Sequence, residues 1–103
     1  MEDIRARIEQ EVGSWGGVTV HAHRFGGVEF RLGRRELGHL HEGWADLPFT
    51  SRIRAMLLET GRAAPHRAGV DGWVSVELDD AVELFRLSYE RAQVAQAART
   101  ARG

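Results

Sequence analysis

The chain contains no cysteine. That excludes disulfides, thiolate nucleophiles and cysteine-ligated zinc or iron–sulfur clusters. Lysine and asparagine are also absent, and all 14 basic residues are arginine. The bias reads first as that of a GC-rich genome, and only second as selection for bidentate anion recognition. No apolar run approaches the ~18–20 residues that span a bilayer. The start, M-E-D-I-R-A-R-I, lacks the apolar core of a signal peptide. A cytoplasmic location is therefore expected. The formal net charge is only -1, so the overall field draws neither nucleic acid nor an anionic membrane. There is no G-x-x-x-x-G-K-[ST] loop and no G-x-G-x-x-G, which argues against ATP and dinucleotide chemistry. No serine stands in a G-x-S-x-G context.

What is present suits one small domain, residues 1–103. Residues 2–12 read as a helix capped by Asp3, with Ile4, Ile8 and Val12 at i, i+4, i+8 and Gly13 at its end. Val18 to Arg24 alternates, with Val18, Val20 and Ala22 on one face and Thr19, His21 and His23 on the other. After Gly26-Gly27, Val28, Phe30 and Leu32 line a second strand, with Glu29 and Arg31 opposite. Gly33-Arg34 suits a type II′ turn into a third strand, Glu36 to His41. A second helix opens at Pro48-Phe49-Thr50-Ser51, buries Ile53, Met56 and Leu57, and closes at Gly61. Residues 72–78 read as a fourth strand, with Trp73 in the core. Asp80 and Glu83 look like a capping box for a third helix. Its broad apolar face carries Val82, Leu84, Phe85, Leu87, Tyr89, Ala92 and Val94, and the chain is expected to fray from about residue 97. The order α-β-β-β-α-β-α fits an α+β fold: a four-stranded antiparallel sheet with three helices on one face.

The segment with both a fold signal and chemistry is Phe25 to Asp46. His39 and His41 are two apart on a strand and share a face. A two-residue turn places them with Val28, Phe30 and Leu32. A three-residue turn shifts the register by one, sends Leu40 to the core and puts both histidines beside Glu29, with His21 and His23 on the same face. In that second register, opposed histidines around Glu29 form a weak metal constellation, unsupported by H-E-x-x-H spacing. Asp46, in the loop after the third strand, and His66, after Pro65, can approach the same region. A carboxylate orienting an imidazole is a general-base arrangement. The plainer readings are that Asp46 caps the second helix or its entry turn and that His66 bonds a loop carbonyl. Trp44, in E-G-W-A-D, reads as a pocket wall or lid and Trp15 as a cover for the sheet edge.

Several pieces also carry a resemblance: G-G-V-E-F-R-L-G (26–33), R-E-L-G-H-L-H (35–41), D-L-P-F (46–49), G-R-A-A-P-H (61–66), G-W-V-S (72–75) and L-F-R-L-S-Y-E (84–90). In order and spacing they resemble the luciferase-domain family, small and mostly bacterial proteins named for a relationship to fungal luciferase. The chain departs from that pattern at Thr50, where proline is common, and at Arg67, where a second histidine is common. The resemblance implies an oxygenase-like ancestry. A fainter likeness, to MmcQ/YjbR-type proteins suspected of binding DNA, rests on W-V-S-V and the S-Y helix.

The expectation is a ligand-binding or interaction domain without a bound cofactor or metal. Its candidate pocket is lined by His39, His41, Asp46, His66 and Trp44, and its partner is a small-molecule ligand. The alternatives are a cofactor-independent oxygenase and a nucleic-acid-binding domain. The latter would use Arg24, Arg31, Arg34 and Arg35, but neighbouring acids oppose it. Homodimerisation stays open, and no membrane partner is expected.

Overall fold

The computed structural model describes residues 3–23, 26–66 and 69–102. Arg24 and Arg67, named above, lie outside them. Helix α1 (Ile4–Gly13) starts where Asp3 accepts the Arg5 amide at 3.2 Å. Strands β1 (Val18–Ala22), β2 (Val28–Leu32), β3 (Arg35–Leu40) and β4 (Trp44–Pro48) follow. Helix α2 (Ser51–Glu59), strands β5 (Ala64–Pro65) and β6 (Trp73–Glu77), and helix α3 (Leu78–Arg102) complete the chain.

The fold is α+β, as expected, but among the described residues the sheet has six strands rather than four, in the order β1-β2-β3-β4-β6-β5. All neighbouring pairs are antiparallel. Two of the strands lie where the sequence carries no strand signal. In β4, glycine, acid and proline around Trp44–Pro48 hide an alternation in which Ala45 and Leu47 are fully buried. Strand β5 is only two residues long, too short to show a period.

The β2–β3 hairpin decides which face carries the histidines. Gly33 has φ +63°, while no non-glycine residue among those described has positive φ, as a type II′ turn requires. The turn has two residues, since Leu32 pairs with Arg35. Alone it would have placed His39 with Val28. Instead the register shifts between Phe30 and Arg31: Arg31 pairs with Glu36, but Phe30 pairs with Gly38. Leu37 is the extra residue of a β-bulge. Beyond it Leu40 faces Val28 and His39 faces Glu29. The histidine face of the three-residue-turn reading is thus reached through a different device. The Leu37 carbonyl accepts the Ser88 hydroxyl of α3 at 2.8 Å, so the bulge stays satisfied inside the protein.

Helix α3 packs on the apolar face, where Phe85 meets Phe30 edge-on with centroids 5.1 Å apart. Leu37, Leu40, Leu47, Val74 and Phe85 are fully buried there. Helix α1 docks on α3, and Trp15, in the turn after α1, has its ring 5.3 Å from Tyr89 and under the Arg86 guanidinium. The Trp15 ring thus packs against α3. Helix α2 is capped by Thr50, not Asp46, and only Leu57 of its expected face is buried; Met56 is 51% exposed. Helix α3 begins at Leu78, directly after β6, so Asp80 sits inside its first turn beside Asp79, where the helix dipole favours acids. It continues to Arg102 where fraying was expected, and Val94 is exposed. No helix among the described residues is long and apolar enough to cross a membrane.

Candidate functional site

On the sheet face opposite α3, registered partners form one lateral row. It runs His21, Glu29, His39, Asp46, Ser75 and Ala64 across β1, β2, β3, β4, β6 and β5. The row's four central residues are buried, Asp46 to 3% exposure. Strand alternation explains the row: their neighbours Val28, Leu40, Leu47 and Val74 face the core.

Asp46 is the hub. Its Oδ2 accepts His39 Nε2 and His41 Nε2, each at 3.0 Å, and Trp44 Nε1 at 3.2 Å. His66 Nε2 stands 3.5 Å from the same oxygen. Oδ1 accepts the Ser75 hydroxyl at 2.5 Å. His39 Nδ1 lies 2.8 Å from Glu36 Oε2. The His39 ring is flanked by His23 at 4.1 Å and Trp73 at 5.1 Å, both stacked. His41 stacks on Trp44 at 4.6 Å. His23 bonds Glu29, which also accepts Arg31 Nε at 2.5 Å. His21 is exposed and paired with Thr19.

Protonation follows from these contacts. Burial by itself lowers His39, but hydrogen bonds to Asp46 and Glu36 outweigh it and raise its pKa to about 9. With a carboxylate at each ring nitrogen, His39 is an imidazolium. Burial lowers His41; Asp46 opposes this, but the nearby imidazoles of His39 and His23 reinforce it, and the net direction is down. Burial pushes Asp46 up, yet hydrogen bonds from His39 and Ser75 and the charges of His66 and His39 hold it well below the usual carboxylate range. Glu29 is likewise lowered: burial is outweighed by its bonds to Arg31 and His23.

The structure thus brings together all five expected residues, His39, His41, Asp46, His66 and Trp44. Asp46 lies on a strand rather than in a loop. Trp73, expected in the core, belongs to this face. Glu36 and Ser75 were not singled out by sequence, because their roles depend on the bulge and on β4–β6 pairing. His23 and Glu29 were visible only in one register. Arg31, a candidate for nucleic-acid contact, is committed to Glu29.

A six-stranded antiparallel sheet, helix-packed on one face and carrying a buried histidine–carboxylate row on the other, defines a small α+β domain built around a polar centre. Residues 34–88 match the family model described as Luciferase domain, and the chain belongs to that family. The match spans β3 to the middle of α3 and includes His39, His41, Asp46, His66 and Ser75. No curated protein and no solved structure matches the chain.

Proposed function

We propose that this protein binds a small molecule at the histidine face, with Asp46 and its imidazoles as the polar contact and Trp44 and Trp73 as walls. The observation that carries this is the burial of charge. His39 and Asp46 are 8% and 3% exposed, yet charged, and Asp46 Oδ2 faces four donors. Buried ion pairs seldom improve on an apolar core of equal volume. Perturbed titratable groups cluster at functional sites. The test is a thermal-shift screen of small organic acids, phenols and enols in the presence of chelator. A true ligand raises the midpoint by mass action, and His41→Ala removes the shift while the fold persists. A midpoint that no compound moves in the parent would count against the reading.

A second reading, an oxygenase working without a cofactor, is favoured by the His41–Asp46 pair. With Nε2–H donated to Asp46, His41 Nδ1 is the lone-pair nitrogen of a carboxylate-oriented base. It can take a proton from an acidic C–H or O–H of the bound molecule, and the resulting anion is what dioxygen would add to. Oxygen consumption that persists in chelator and disappears in His41→Ala supports this reading over simple binding.

A further inference from the structure

We propose that His39 Nε2, His41 Nε2 and Asp46 Oδ2 hold a divalent ion of the zinc and ferrous-iron class, with His66 Nε2 as a fourth donor. The inference rests on the reading of this face as a ligand site and names a ligand for it.

Three observations carry it. The first is convergence. The three donor atoms lie within 4.8 Å of one another, and each histidine nitrogen is 3.0 Å from the Asp46 oxygen. Donors bound ~2.0–2.2 Å from one ion stand roughly 3.0–3.5 Å apart. His66, at 3.5 Å from Asp46, falls at the outer edge of that range.

The second is oversubscription. A single carboxylate oxygen offers about two lone-pair directions. Here Trp44 and three imidazoles face Asp46 Oδ2. An ion at the convergence point turns each of these imidazole nitrogens from a competing donor into a lone-pair ligand.

The third is the outer shell. Ligating histidines usually give their other ring N–H to a carboxylate, and ligating carboxylates are themselves hydrogen-bonded. His39 Nδ1 is already on Glu36 at 2.8 Å, and Asp46 Oδ1 is already on Ser75. The outward atoms of two ligands are fixed, and their inward atoms converge. With no sulfur in the set, two or three imidazoles and one carboxylate suit zinc or ferrous iron and suit magnesium or calcium poorly. The sequence pointed to Glu29 as the central carboxylate. The structure places Asp46 there, because β4 pairs with β3.

The experiment is isothermal titration of the full chain, stripped with EDTA and dialysed, with zinc chloride. We expect saturable binding of one ion per chain and no comparable binding of magnesium. His41→Ala and Asp46→Asn should each weaken zinc by at least ~100-fold. Glu36→Gln and Ser75→Ala should weaken it by about tenfold. His21→Ala, on the same face but outside the cluster, should match the parent. Circular dichroism verifies each fold, and His41→Gln replaces His41→Ala should the latter unfold. Absence of saturable zinc binding in the folded parent, or binding unchanged in the His41 variant, overturns the proposal. An organic ligand bound in chelator without any zinc binding would sink the metal site alone. Zinc binding without an organic ligand would sink the small-molecule reading alone.

Discussion

Ser88 and Leu37, 51 residues apart, meet where the Ser88 hydroxyl of α3 donates to the Leu37 carbonyl at 2.8 Å. Leu37 is the bulge that turns His39 and His41 toward Asp46, so this bond ties helix to site. Ser88→Ala leaves the carbonyl buried without its partner. The expected cost is about 1–3 kcal/mol, read as a lower urea midpoint with an unchanged slope. An unaltered midpoint would mean the bulge is held by something else.

Gly38 follows the bulge, with φ +150°. A Cβ there would stand 2.7 Å from the Asp46 carbonyl oxygen and 2.8 Å from Phe85 Cε1. The first neighbour is backbone and the second a fully buried ring, so neither yields easily. Gly38→Ala should cost ~1–3 kcal/mol and displace the strand bearing Asp46. Denaturation measures the first effect, and the amide chemical shift of Asp46 reports the second.

Phe85 is fully buried against Phe30. Phe85→Ala should cost about 3–5 kcal/mol, against a total of roughly 5–15 kcal/mol for a domain of this kind. The variant is expected near its unfolding transition at ambient temperature. A denaturation midpoint within error of the parent would refute the packing described.

In chelator-treated protein, His39 links stability to alkaline pH. Its pKa rises from 6.5 to about 9 on folding. The folded state therefore binds the proton more tightly, and the stabilisation is complete below about pH 6.5 and lost as pH rises through about 9. Asp46 acts with the opposite sign: its contribution is present above the ordinary aspartate pKa of 3.8 and lost on acidification. Thermal midpoints should fall across the alkaline window. In Glu36→Gln, which removes one of the two partners holding the proton, the fall should begin at the same pH but be smaller and end at lower pH. A flat profile in both proteins would contradict the assigned protonation.

Much of this was legible in the sequence where side-chain period and turn chemistry agree. Asp3 as a cap, the Gly33-Arg34 turn, the Val28–Leu32 strand and the Phe85 face all follow from local rules. The five residues gathered around Asp46 could be named because they lie on segments that must converge. The bulge was not named, although Leu37 and Leu40, both apolar and three apart, cannot share one face of a regular strand. Strand β4 escaped because Asp46 and Pro48 sit at its polar positions and look like loop. Ser75 and Glu36 acquire roles only through partners on other strands or across the bulge, which no single segment displays.

The hairpin also obeys an arithmetic of parity. Two turn residues and one bulged residue make an odd count, and oddness is what sends Leu40 inward and His39 outward. A relative with three turn residues needs no bulge to reach the same face. One with two turn residues and no bulge reaches it only if it has also lost a residue of the strand. Insertions and deletions here should therefore travel in compensating pairs, and an alignment that ignores the bulge will set histidines against leucines.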